Sequence, residues 1–220
     1  MQTQELYQQI NALGIVPVIA IDNPEAALPL ADALLAGGLP IIEVTFRTAA
    51  AAQVIQTLAR ERPQLLVGAG TVLTRENLLA AQSAGARFAV APGLNPDIVA
   101  QAQEMGMPFV PGVATPSEVE RALVLKCAVL KFFPAELLGG VEMLNALAAP
   151  YGHTGVKFVP TGGVNPGNLE SYLGCKAVSA VGGTWLAKKE DLAGGKWEDI
   201  SARCRAAVQV VSQARGKSKG

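Results

Sequence analysis

"RFAVAPGLNPDIVAQAQEMGMPFVPGV", residues 87–113, holds one complete structural unit. A short apolar run around Phe88 closes at Pro92, and a second opens at Phe109. Runs this short, bounded by proline and glycine, read as buried strands. The segment between them, "NPDIVAQAQEMG", is helix-like. Asn95 and Pro96 open it. The Asn oxygen accepts an orphan backbone N–H, and proline at the first helical position has no hydrogen bond to lose. Gly106 closes it, where a left-handed residue caps a helix end. Strand, capped helix, glycine and strand make a βαβ unit.

The unit recurs on both sides. Eight apolar runs begin at Ile15, Ile41, Leu65, Phe88, Phe109, Ala128, Val156 and Val178, 19 to 28 residues apart. The pairs Asn23-Pro24, Thr115-Pro116 and Asn165-Pro166 repeat the opening signal, and Thr115 with Glu118 fits a capping box. Gly37-Gly38 and Gly85 repeat the closing one. Pro29 falls inside the first such helix, either in its first turn or at a kink. Eight strands alternating with helices predict an α/β fold, a (β/α)8 TIM barrel. A doubly wound open sheet is the alternative. The count of eight and the lack of a GxGxxG after the first run favour the barrel. An extra N-terminal helix over residues 3–13 places Leu6, Ile10 and Leu13 on one face, suited to closing the barrel's bottom. No interdomain linker is visible, so residues 1–220 read as a single domain, with 216–220 as a disordered tail.

Lys plus Arg and Asp plus Glu both number 18, so the net charge is zero. A nucleic-acid binder or a polybasic membrane-surface protein would carry a basic excess, so neither partner is expected. Hydrophobic residues make up 50% and charged ones 16%. A parallel sheet buried on both faces absorbs part of that excess, and a subunit interface more, so an oligomer is expected. The cysteines, Cys127, Cys175 and Cys204, are odd in number and widely spaced, which reads as a reducing compartment without disulfides. The N-terminal segment lacks a signal-peptide core, and no apolar stretch reaches a membrane span.

A barrel of this kind carries its active site at the C-terminal ends of the strands. "EVTFR" sets Glu43, Thr45 and Arg47 on one face, "GAGT" ends in Thr71, and the fourth run ends at Pro92. "AVLKFFPAELLGG", residues 128–140, sets Lys131 between apolar neighbours and just before Phe133. Burial favours the neutral amine, and a neutral amine is the nucleophile that forms Schiff bases with ketones. Lys157, also in an apolar run, lies at its start and reads as structural. Glu43 is either an ion-pair partner of Lys131 or Arg47, or a general acid/base, or both. Arg47, at the rim, suits a carboxylate. "PTGG" supplies Thr161, Gly162 and Gly163, and "GGT" supplies Gly182, Gly183 and Thr184. Paired glycine turns after the last two strands are the usual phosphate site of such barrels. The one histidine, His153, falls at the opposite end, which argues against histidine-ligated zinc and a Ser-His-Asp triad. The cysteines, Trp185 and Trp197 read as packing residues.

Taken together, "EVTFRT", "GAGTVL", "APGLNP", "PGVATPSE", "LKFFPAE", "PTGGVNP" and "VGGTWL" resemble the 2-keto-3-deoxy-6-phosphogluconate (KDPG) aldolases, some of which also act on 4-hydroxy-2-oxoglutarate. The resemblance implies a metal-independent class I aldolase, a lyase of carbohydrate metabolism, without cofactor, forming cytoplasmic homotrimers. It implies Lys131 as the Schiff-base lysine and Glu43 as the general acid/base. Arg47, Thr71 and Thr161 would contact the pyruvate portion of a keto-acid phosphate, with Pro92 and Phe133 as its wall. Gly162, Gly163, Gly182, Gly183 and Thr184 would hold the phosphate. Thr184 departs from the serine common in relatives, and its hydroxyl still donates. "EVTFR" favours the gluconate over the galactonate branch of these aldolases. A sugar-phosphate isomerase or epimerase on the same barrel, or a non-catalytic assembly module, are the competing readings. The first calls for a metal or a placed histidine. The second leaves Lys131 and Glu43 unexplained.

Overall fold

The computed structural model describes residues 3–217. It is an α/β fold whose strands pair in parallel. A helix, α1 (Thr3–Leu13), leads, burying Leu6 and Ile10. Four strands with alternating helices follow: β1 (Ile15–Ile19), α2 (Ala27–Ala36), β2 (Ile41–Thr45), α3 (Ala51–Glu61), β3 (Leu66–Gly70), α4 (Arg75–Ser83) and β4 (Phe88–Val90). Each of these four strands is buried throughout, which is why they read as continuous apolar runs.

The fifth run differs from expectation. Pro111 has no N–H to give to a ladder, and the run divides there into β5 (Phe109–Val110) and β6 (Gly112–Val113). Helix α5 (Pro96–Glu104) leads into β5, and α6 (Pro116–Val124) leaves β6. The two halves face different neighbours: β5 pairs with β4, and β6 with β7 (Val129–Phe132). The strands form one sheet ordered β5-β4-β3-β2-β1-β9 and another ordered β6-β7-β8, where β8 is Lys157–Pro160 and β9 is Val181–Gly183. Parallel bridges at Phe158–Val178 and Thr161–Gly182 link the edge of β8 to the β9 segment.

Helices α7 (Gly140–Ala148), α8 (Leu169–Leu173), α9 (Lys189–Ala193) and α10 (Trp197–Lys217) complete the chain. The expected tail overlaps the end of α10 at residues 216 and 217, and 218–220 lie outside the described residues. Caps at Asn95 and Thr115 form as expected, the latter as a full capping box with Glu118. Asn23 caps a 3-10 turn, Pro24–Ala26, that runs into α2, and Pro29 sits harmlessly in the first turn of α2. Asn165-Pro166 does not open α8. The Asn165 side-chain oxygen accepts from Gly167 N at 2.9 Å and the Asn165 backbone N–H donates to Asn168 Oδ1 at 2.8 Å, so a closed turn precedes a helix starting at Leu169.

The strands' N-terminal ends gather the chain's described termini. Tyr7 of α1 donates to Phe109 O at 3.3 Å. Arg215 of α10 donates to Ala12 O at 2.8 Å and to Ser179 O at 2.7 Å. No described helix is long and apolar enough to cross a membrane.

Candidate active site

Strands β2 and β7 lie in different sheets, yet they bring their charged side chains together. Lys131 Nζ stands 3.5 Å from Glu43 Oε1, and the two residues are 6% and 4% exposed. Those exposures matter because an ion pair removed from water needs hydrogen bonds to repay its desolvation. Glu43 Oε1 accepts no hydrogen bond from any described residue. Lys131 Nζ also lies 5.6 Å from the centre of the Phe133 ring, within cation–π reach. The pair is therefore dry and incompletely satisfied in hydrogen bonds, an arrangement found where buried groups serve chemistry.

Space for the Glu43 carboxylate comes from Gly70, which the sequence reading passed over. A β-carbon on Gly70 would fall 2.2 Å from Glu43 Oε1. A strand glycine signals such a close approach, and "LVGAG" carries two. On the other side, a β-carbon on Gly112 would strike the Pro92 carbonyl at 2.0 Å, and Gly112 is in register with Lys131. Pro92 thus abuts the strand next to the lysine. Thr45 is buried, and Arg47 at the exposed rim donates from Nε to Thr45 Oγ1 at 3.2 Å. Thr71 directly follows β3 and has φ 56°, a left-handed conformation rare for a β-branched residue. Local strain of this kind concentrates at functional sites.

The glycine turn after β8 is built to present donors. Thr161 O accepts from Ala135 N at 2.8 Å, and Gly162 O accepts from Glu136 N at 3.0 Å. Gly163 O accepts from the side chains of Asn165 at 2.9 Å and Asn168 at 3.2 Å. In a planar trans peptide the carbonyl and the next N–H point in opposite directions. The N–H groups of Gly162, Gly163 and Val164 therefore face away from those contacts, and none donates to a described protein acceptor. Gly162 and Gly163 hold φ of 96° and 85°, which glycine alone adopts cheaply. Gly162 packs against the Phe133 ring. Thr161 is buried, its hydroxyl filling the place a side chain on Gly182 would take. Gly182 and Gly183 are buried at the end of β9, with Thr184 exposed just beyond.

The other side chains singled out in the sequence stand apart. His153 is exposed in a 3-10 turn, Ala149–Thr154, before β8. Lys157, at the opposite strand end from Lys131, is exposed and donates to Lys176 O at 2.9 Å. All three cysteines are buried thiols. Burial pushes both Cys127 and Cys204 up to about 11, so they stay protonated and unreactive near neutrality. Among the described residues, no three His, Cys, Asp or Glu side chains gather as metal ligands.

The model of the KDPG and KHG aldolase family matches residues 6–203. The 2-dehydro-3-deoxy-phosphogluconate aldolase of Treponema pallidum (strain Nichols) is 44% identical over 206 residues, covering 94% of this chain and 97% of the relative. A crystal structure of the KDPG aldolase of Legionella pneumophila, with pyruvate captured as a covalent carbinolamine, superposes with a TM-score of 0.87 at 40% identity. The match covers 91% of this chain and 97% of that one. The KDPG aldolase of Zymomonas mobilis ZM4 with 3-phosphoglycerate superposes with a TM-score of 0.83 at 38% identity, covering 92% and 94%. A buried lysine–carboxylate pair, a turn of outward N–H groups and this degree of likeness together place the chain in the KDPG and KHG aldolase family.

Proposed function

We infer that this chain is a class I aldolase, a lyase cleaving 2-keto-3-deoxy-6-phosphogluconate to pyruvate and glyceraldehyde 3-phosphate. The observation that carries the reading is the Lys131–Glu43 pair, buried at 3.5 Å. Action on 4-hydroxy-2-oxoglutarate, giving pyruvate and glyoxylate, belongs to the same reading. The neutral Lys131 amine attacks the C2 ketone, and the carbinolamine loses water to form an iminium. Glu43 takes the proton of the C4 hydroxyl. The C3–C4 bond then breaks, its electron pair passing to the iminium to give an enamine, and the aldehyde leaves. The enamine is protonated at C3 through Glu43, and water releases pyruvate from Lys131.

Arg47, Thr71 and Thr161 hold the pyruvate carboxylate in this scheme, and Pro92 and Phe133 wall the reacting carbons. The outward N–H groups around Gly162 and Gly163, with Gly182, Gly183 and the Thr184 hydroxyl, hold the phosphate. Gripping both ends of the substrate fixes the bond between them, which is how remote contacts assist chemistry. The scheme needs no metal and no cofactor.

The scaffold in this reading is a single-domain, closed (β/α)8 barrel. Its support is that β9 lies beside β1, the halves of the fifth strand are joined at Pro111, and bridges run from β8 to β9. Helix α1 covers the strand N-terminal ends. The reading also includes a cytoplasmic homotrimer. Val124 and Leu137 are 81% and 89% exposed, apolar surface that association between copies would cover.

Borohydride reduction in the presence of pyruvate, followed by mass spectrometry, tests the chemistry. One adduct is expected, on Lys131, and none in Lys131→Met, which should lose activity by at least about a thousandfold. An adduct elsewhere, or substantial activity in the variant, overturns the assignment.

A further inference from the structure

Glu136 is unused by the chemistry above, yet it is wedged against the turn that chemistry relies on. It lies in the loop after β7, and a β-carbon on Gly163 would stand 2.5 Å from both its Cβ and Cγ. Its stem therefore covers one face of Gly163. Its backbone N–H binds Gly162 O, as described. Its carboxylate accepts a 2.5 Å hydrogen bond from the hydroxyl of Tyr172, a side chain with 0% exposure on α8. Burial, then the Glu136 carboxylate, holds that hydroxyl well above its ordinary range, so it remains a donor near neutrality. Asn168, immediately before α8, also grips Gly163, donating to its carbonyl oxygen.

We propose that Glu136 is a positioning residue for phosphate binding, clamping Gly162 and Gly163 while Tyr172 draws its carboxylate away from the anion. Two requirements meet in this geometry. The turn's left-handed glycines gain rigidity only from their surroundings, since glycine otherwise loses much conformational freedom on ordering. A carboxylate beside a phosphate repels it unless its charge is turned aside. The stem of Glu136 meets the first need and the Tyr172 hydrogen bond meets the second.

The proposal rests on the aldolase reading, and the test keeps the two apart. Glu136→Ala, Glu136→Gln and Tyr172→Phe are compared by KM for the phosphorylated substrate. They are also compared by exchange of pyruvate methyl protons in D2O, which needs Lys131 and Glu43 but no phosphate. For Glu136→Ala, KM should rise about tenfold while exchange stays within about twofold. Glu136→Gln keeps both the stem and an acceptor for Tyr172, so KM should stay within about threefold of the parent. Tyr172→Phe cuts only the tie and should raise KM a few-fold; it carries the test if Glu136→Ala does not fold. An unchanged KM in the Ala or Phe variant overturns the proposal. So does a parallel fall in both measurements, the mark of a purely structural role. Absence of a pyruvate adduct in the parent protein would instead sink the aldolase reading.

Discussion

At the scale of single residues, the site depends on atoms that are missing as much as on those present. Gly70 has an ordinary backbone conformation, so its value lies in space. Adding one methyl there places carbon 2.2 Å from Glu43 Oε1 and 2.7 Å from Glu43 Cγ. Gly70→Ala should cost about 1–3 kcal/mol of stability by overpacking. It should also lower kcat by about tenfold or more through a displaced carboxylate, with the Lys131 adduct still forming. Thermal unfolding and steady-state kinetics on one preparation check both, and unimpaired kcat would show that the carboxylate's placement is not critical. Lys131 and Glu43 were legible from sequence because a charge inside an apolar run is anomalous within its own segment. Gly70 and Glu136 were not, because their contacts cross between strands and loops whose spacing the sequence does not state.

At the scale of secondary-structure elements, caps fix how a strand passes into the next helix. The Glu118 carboxylate accepts from Ala114 N at 2.8 Å and Thr115 N at 2.9 Å, fixing the step from β6 into α6. Thr115→Ala should cost about 1 kcal/mol. Because both residues share one network, Thr115→Ala combined with Glu118→Ala should destabilise less than the sum of the singles in urea titrations. Strict additivity would mean that the box does not act as a unit. Such caps were readable in advance because donor, acceptor and proline lie within four residues. The same logic failed at Asn165-Pro166, where the Asn side chain turns to Gly167 and to the Gly163 carbonyl. It failed also at Pro111: a proline in an apolar run signals a lost ladder bond, but not that the two halves will serve different neighbours.

For the whole molecule, stability in acid should report on the last two helices. Burial pushes the Asp191 carboxyl up, but it is outweighed by the N–H of Lys188 at 3.0 Å and by the Arg203 guanidinium, and the net position is below the ordinary value. A carboxyl lowered by folding stabilises the folded state above its unfolded value, and the benefit fades as pH falls through the folded one. Asp191→Asn should therefore be less stable than the parent above about pH 4, with the gap closing in stronger acid. Melting curves from pH 7 to pH 3 check this, and a constant gap would assign the loss to packing. Strand and helix alternation and parallel pairing were legible at this scale, since each follows from local pattern repeated along the chain. The grouping of strands into sheets was not, because register depends on partners far away in sequence.

The Arg215 contacts to Ala12 and Ser179 carry a practical corollary. They anchor the last helix beside the first, on the side where strands begin, while the lysine and its glycine turns open where strands finish. A reporter or scaffold joined by a short tether to either described terminus would hang beneath the molecule and leave the strand C-terminal ends unobstructed.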